Sequence, residues 1–148
     1  MFSLLINTNR QVIFIWRDGL NSCKIENLLF GGQYKLKSQK GNQKFIAENS
    51  WPLKSGINAG MPLFDLRALN EKNIAFCGGD APNPGLVFPE SSGKVDFKNK
   101  EVILACMNCK DDKYLSTKIM YADKAMEEGR IFFILTIVLY PVMHGIFE

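Results

Sequence analysis

Apolar and polar positions along the first fifty residues keep changing in short blocks, as they do in strands joined by turns. Residues 2–6 and 11–16 are β-prone runs separated by Asn7-Thr8-Asn9-Arg10, whose residue types favour a turn, so the pattern predicts a hairpin. In the second run Val12, Phe14 and Trp16 alternate with Ile13 and Ile15. Both faces are apolar, which predicts a central strand covered on both sides. Ile25, Leu28, Leu29 and Phe30 suit either a short strand or a helical turn. After Gly31-Gly32, Tyr34, Leu36 and Ser38 alternate with Lys35, Lys37 and Gln39, as on a surface strand. Residues 40–43 read as a turn and 44–47 as a strand pairing back. The expectation is an antiparallel meander.

Beyond residue 50 the pattern mixes helix and strand. Residues 51–60 read as a loop. Pro62 suits a first helical turn, and Leu63, Leu66 and Leu69 or Asn70 follow at helical spacing, predicting a helix near 62–71. Ile74 to Cys77 predict a short buried strand. Residues 78–85, Gly-Gly-Asp-Ala-Pro-Asn-Pro-Gly, exclude regular structure: the prolines remove backbone donors and the glycines admit unusual dihedrals. Val95 and Phe97 give a weak β signal, and Val102 to Leu104 a stronger one. Leu115, Ile119, Ala122 and Met126 form one apolar stripe at increments of four, three and four. That predicts a helix capped by Asp111 or Asp112 and stopped at Gly129.

The run from Ile131 carries no formal charge through Phe147 when His144 is neutral. Seventeen residues lie at the lower edge of a helical membrane span, so membrane association through 131–147 is one reading. The leading reading is a buried C-terminal strand. Phe132, Phe133, Ile134, Thr136, Ile137 and Val138 favour β structure, and Pro141 marks the exit because it cannot donate to a ladder. Together these elements predict an α+β single domain over 1–148, with a mainly antiparallel sheet, an N-terminal meander, two helices and a buried C-terminal strand.

Composition adjusts this picture only modestly. A chain of 148 residues with 47% apolar residues can bury a core without needing a disulfide or metal. The net charge is +3, with eight basic and three acidic residues up to position 60 and ten basic and twelve acidic after it. Lys35, Lys37, Lys40 and Lys44 make the best basic patch, near Tyr34 and Phe45. Strand alternation points Lys35 and Lys37 away from Tyr34 and Leu36, which argues against a nucleic-acid stacking surface and for a solvated edge. No basic segment precedes the short apolar start, so export is not signalled and a cytoplasmic location is expected. The apolar excess is compatible with a homo-oligomer.

Candidate chemistry centres on the cysteines. Cys106-Met107-Asn108-Cys109 is a C-x-x-C motif between an expected strand and an expected helix. Such a pair can bind one zinc ion or form a tight disulfide, and a helix N-terminus with Lys110 and Lys113 nearby would favour a thiolate. A zinc set could be assembled from Cys23, Cys77, Cys106, Cys109 and His144, although no second close pair exists. Free cysteines also serve as small apolar core residues. Residues 101–128 resemble the strand–CxxC–helix unit of thioredoxin-like proteins. That resemblance implies Cys106 as attacking thiol, Cys109 as resolving partner, and Pro141 in the place of the family's cis-proline.

His144 is the sole histidine, and no nucleophile-elbow or phosphate-loop spacing occurs. The leading expectation is therefore a small non-catalytic binding or regulatory protein, with no cofactor, recognising another macromolecule, with a protein as the expected partner. Its expected contacts are Asp80 and Asn83 in the Pro/Gly loop and Lys35 and Lys37 on the meander. Thiol–disulfide exchange at Cys106 and Cys109 and a zinc-stabilised recognition domain are the alternatives.

Overall fold

The computed structural model describes residues 2–4, 10–16, 25–31, 33–34, 45–46, 51 and 53–141. Strands β1 (Phe2–Leu4), β2 (Val12–Trp16) and β3 (Ile25–Gly31) pair antiparallel in sequence order, as the hairpin and meander readings expect. Residues 25–31 take the strand option. β4 (Gln33–Tyr34) and β5 (Phe45–Ile46) form a separate antiparallel pair. Then follow α1 (Leu63–Asn70), β6 (Ala75–Cys77), β7 (Lys100–Cys106), α2 (Asp112–Leu115), β8 (Ile119–Tyr121), α3 (Ala122–Glu127) and β9 (Phe132–Leu139).

β9 organises the molecule. The main sheet runs β1-β2-β3-β9-β7, so residues 132–139 of the uncharged C-terminal run form an interior strand. One edge of β9 pairs with β7 from end to end, interrupted at Leu135. The other edge is shared: β3 pairs with residues 136–139, while residues 60–62 cover the start through Gly60 N–H to Ile134 O (2.7 Å) and Ile134 N–H to Met61 O (2.8 Å). Ladder donors and acceptors are thereby used on both sides, as a buried strand requires.

Leu104 faces Ile134 and Ile103 faces Thr136, so Leu135 is an extra residue that shifts the inside–outside phase. Phe132 and Ile134 face the core before it, and Ile137 after it. The displaced Leu135 carbonyl sits against Gly31, whose φ is +74°. Among the described residues no helix is long and apolar enough to cross a membrane.

A second short sheet joins β6 to β8. Residues 85–88 link it to the main sheet: Cys77 N–H donates to Leu86 O on one side, and Val87 N–H donates to Val102 O on the other, both at 2.9 Å. The helices cover this surface. α1 buries Leu63, Leu66 and Asn70, and α3 buries Ala122 and Ala125. Arg67 Nε to Asp123 Oδ1, 2.8 Å, ties α1 to α3. Phe132 packs edge-on against Phe76 and Tyr114 in the same cluster.

Three readings need correction. The helix over the stripe from Leu115 to Met126 is broken: α2 ends at Leu115, β8 intervenes, and α3 begins at Ala122. There are accordingly three short helices among the described residues, not two, plus a 3₁₀ turn at Pro89–Ser91. The cause is tertiary. Residues 119–121 pair with β6, which turns Met120 inward and leaves Leu115 and Ile119 exposed at 52% and 51%.

The predicted helix ends survive, since Asp111 accepts from Tyr114 N–H at 3.0 Å and Gly129 adopts φ +72°. The third correction concerns Val95 and Phe97, which lie in irregular chain, not a strand, and are still buried at 0% and 2%.

Candidate functional site at the loop end of the sheet

The end of the sheet where β7 finishes and β9 begins gathers the motifs that the sequence singled out. Cys106 closes β7 opposite Phe132. Cys106 and Cys109 are joined as a disulfide with Cα atoms 5.6 Å apart, inside the range such bridges require. Cys106 is part-exposed and Cys109 is buried.

Side chains that need no sulfur hold this turn. Asn108 donates from Nδ2 to Gly129 O and accepts from Ile131 N–H at Oδ1, both at 2.9 Å. Met107 N–H donates to Ile131 O at 2.9 Å. Arg130, with 8% of its side chain exposed, reaches both oxygens of Asp111 at 2.8 and 3.0 Å and stacks its guanidinium over Tyr114.

The charges here are structural partners of one another. The Arg130 guanidinium, helped by Tyr114 N–H, holds the Asp111 carboxyl well below the usual carboxylate range. Lys113 first and Arg130 second lower Glu128. A carboxylate whose pKa is depressed by folding stabilises the protein above its unfolded value of about 3.9, and that contribution disappears as pH falls through the folded value. Asp111→Asn is therefore expected to melt below wild type at pH 7. The gap should narrow progressively as pH falls below about 4, as read by thermal melts across pH. A constant gap would remove the ion pair from the explanation.

The Pro/Gly loop lies beside this turn and is built into the body of the molecule. Gly79 packs on α2, where a Cβ would stand 2.8 Å from Tyr114 O, and Gly78 packs on the Thr117 carbonyl. Asp80 N–H donates to Thr117 O and Leu86 N–H to Asn83 O. Asp80, Pro82, Asn83 and Pro84 remain exposed. Exposed apolar side chains border the same region: Met107 at 69%, Ile131 at 55% and Leu115 at 52%. Beside β8 is a cleft of about 170 Å³ that includes Lys113, Ile119 and Lys124. It is smaller than the roughly 300–1,000 Å³ that small-molecule sites occupy.

Other sequence candidates separate. Lys35, Lys37, Cys23 and His144 lie outside the described residues. Cys77 is not brought against Cys106, because residues 85–88 run between β6 and β7; it is a free thiol whose pKa burial pushes up. Among the described residues no group of three or more His, Cys, Asp or Glu could hold a metal ion.

The correspondence between Pro141 and a cis-proline near the CxxC fails. No peptide bond among the described residues is cis, and Pro141 follows the far end of β9. Nine residues along the chain at about 3.3 Å each place it well away from Phe132 and Cys106. Nor does a long helix follow the motif, since α2 has four residues and Asp111 already occupies its N-terminus.

Asn108 and Arg130, which hold the turn, escaped the sequence reading. The partners through which they fix the turn are 19 to 23 residues away, so no local spacing marks them. Compared with known proteins, the chain matches no family model, no curated protein and no solved structure.

Proposed function

We propose that this chain is a non-catalytic recognition protein that binds another protein through the loop end of its sheet. The supporting observation is the combination of a fixed backbone with exposed apolar side chains. Met107 and Ile131 are bonded to each other through their main chains, yet present 69% and 55% of their surfaces to solvent. Beside them, Pro82, Asn83 and Pro84 project from a loop whose base is pinned by Gly78, Gly79 and Gly85. A surface organised before binding loses little entropy on association, and apolar anchors at its centre supply most of the affinity. Recognition then proceeds by shape and hydrogen-bond complementarity, with Asp80 and Asn83 as polar contacts.

A photo-crosslinking residue at position 107, compared in cells with one at exposed Lys98, tests this reading. Position 107 is expected to give a discrete protein adduct that Ile131→Glu removes without lowering the melting temperature. Equal adducts from both positions, or none from position 107, would overturn it. An adduct to a second copy of this chain would replace the heterologous partner with self-association.

A further inference from the structure

We infer that Cys106–Cys109 is a reversible two-electron redox site open to thiol–disulfide exchange, and not a staple on which the fold depends. The inference stands apart from partner recognition and rests on three features of the turn.

The bridge closes only a four-residue segment, so it restricts the unfolded chain weakly compared with a long-range disulfide. Bonds that survive reduction already fix the segment: both amide bonds of Asn108, the Met107–Ile131 main-chain bond and the Asp111–Arg130 pair. The oxidised and reduced states can therefore share one scaffold. Finally, the two cysteines differ in burial. Cys106 is part-exposed, next to exposed Met107, whereas Cys109 is buried.

That asymmetry sets the order of steps. The thiolate of a small thiol such as glutathione attacks Cys106 Sγ. The Cys106–Cys109 bond breaks, and Cys109 Sγ departs with the electron pair and takes a proton from water. A second thiolate attacks the external sulfur of the mixed disulfide and releases Cys106 as a thiolate, which is protonated in turn. The protein gains two electrons and two protons, and two thiols become one disulfide. Once reduced, the Cys106 thiol has an acceptor within reach, since Sγ lies 3.4 Å from Asn108 Oδ1.

The surroundings also limit the rate. α2 is too short for a strong dipole, Asp111 places a carboxylate at its start, and Lys113 is engaged by Glu128. Exchange should therefore be slow near neutrality, without the acceleration of a strongly activated thiol.

The test equilibrates the full chain in glutathione buffers of graded reduced-to-oxidised ratio, quenches by alkylation, and reads the mass of the peptide spanning 106–109. One two-electron transition is expected, reached from either direction. Cooperative melting should persist in both states, with the reduced form lower by less than about 10 °C. Partial alkylation of the reduced protein should mark Cys106 before Cys109.

A bridge that yields only when the protein unfolds would overturn the proposal, as would thiols that stay unpaired in excess oxidised glutathione. Asn108→Ala supplies a second readout. Without the amide the turn relies on the bridge, so the melting difference between the states should widen. An unchanged difference would overturn the shared-scaffold argument.

Discussion

Gly85→Ala is expected to lower the stability of the protein by about 3–5 kcal/mol, a fall of roughly 10–15 °C in melting temperature for a chain of this size. Two penalties combine. Gly85 has φ +85°, a conformation that side chains with a Cβ adopt only at a cost. It also lies flat against β7, where a Cβ would collide with the Leu104 carbonyl oxygen. That oxygen belongs to backbone and cannot rotate aside.

The position joins two sheets. Gly85 N–H donates to Cys77 O, and Gly85 O accepts from Leu104 N–H, each at 2.8 Å. Displacing residue 85 therefore pulls β6 and β8 from the main sheet. Gly129→Ala separates the two penalties, because Gly129 has a similar φ of +72° and a Cβ there would meet nothing within 4 Å. Its cost should be near 1 kcal/mol. Equal losses for the two variants, measured by denaturant titration, would show that the collision plays no part.

Asn70→Ala carries the second large effect, about 3–5 kcal/mol, because its buried amide serves four main-chain groups at once. Asn70 is 0% exposed at the end of α1. Its Nδ2 donates to Lys72 O and Ser91 O, both at 2.9 Å, and its Oδ1 accepts from Gly93 N–H at 2.9 Å and Val95 N–H at 3.2 Å. This one side chain holds the irregular chain between Ser91 and Val95 in place, so that Val95 and Phe97 can be buried. Truncation takes the partner from four main-chain groups, and each that stays buried costs about 1–3 kcal/mol before relaxation. Asn99→Ala, whose exposed amide donates to Asp96, should cost under about 0.5 kcal/mol. A loss at Asn70 no larger than at Asn99 would contradict the buried network.

The parts of the fold legible in the sequence are those whose residues carry their own signal. β9 could be read because a charge-free, β-branched run ending at Pro141 suits a strand with neighbours on both sides. The hairpin of β1 and β2 could be read from the turn residues between two apolar runs. The cap at Asp111 and the stop at Gly129 were visible as end signals, although the helix drawn between them was not continuous. There the 3.6-residue stripe was outweighed by pairing of residues 119–121 with β6, which only the folded chain supplies.

Val95 and Phe97 show the opposite limit: they are core residues without regular structure, held by an amide more than twenty positions earlier. At the candidate site, the cysteine pair and the Pro/Gly loop were legible as motifs. Their meeting at one end of the sheet was not, nor were the Asn108 and Arg130 contacts that fix it, because those depend on the order of strands.

That order has a consequence for how the protein is made. β9 lies between β3 and β7, yet the ribosome synthesises it after both, and β3 pairs with residues more than one hundred positions downstream. The meander must therefore wait, with the edge of β3 uncovered, until β9 emerges. Sheet closure is then a late event with a long loop to bring together, which favours slow folding and a window in which chaperones can bind.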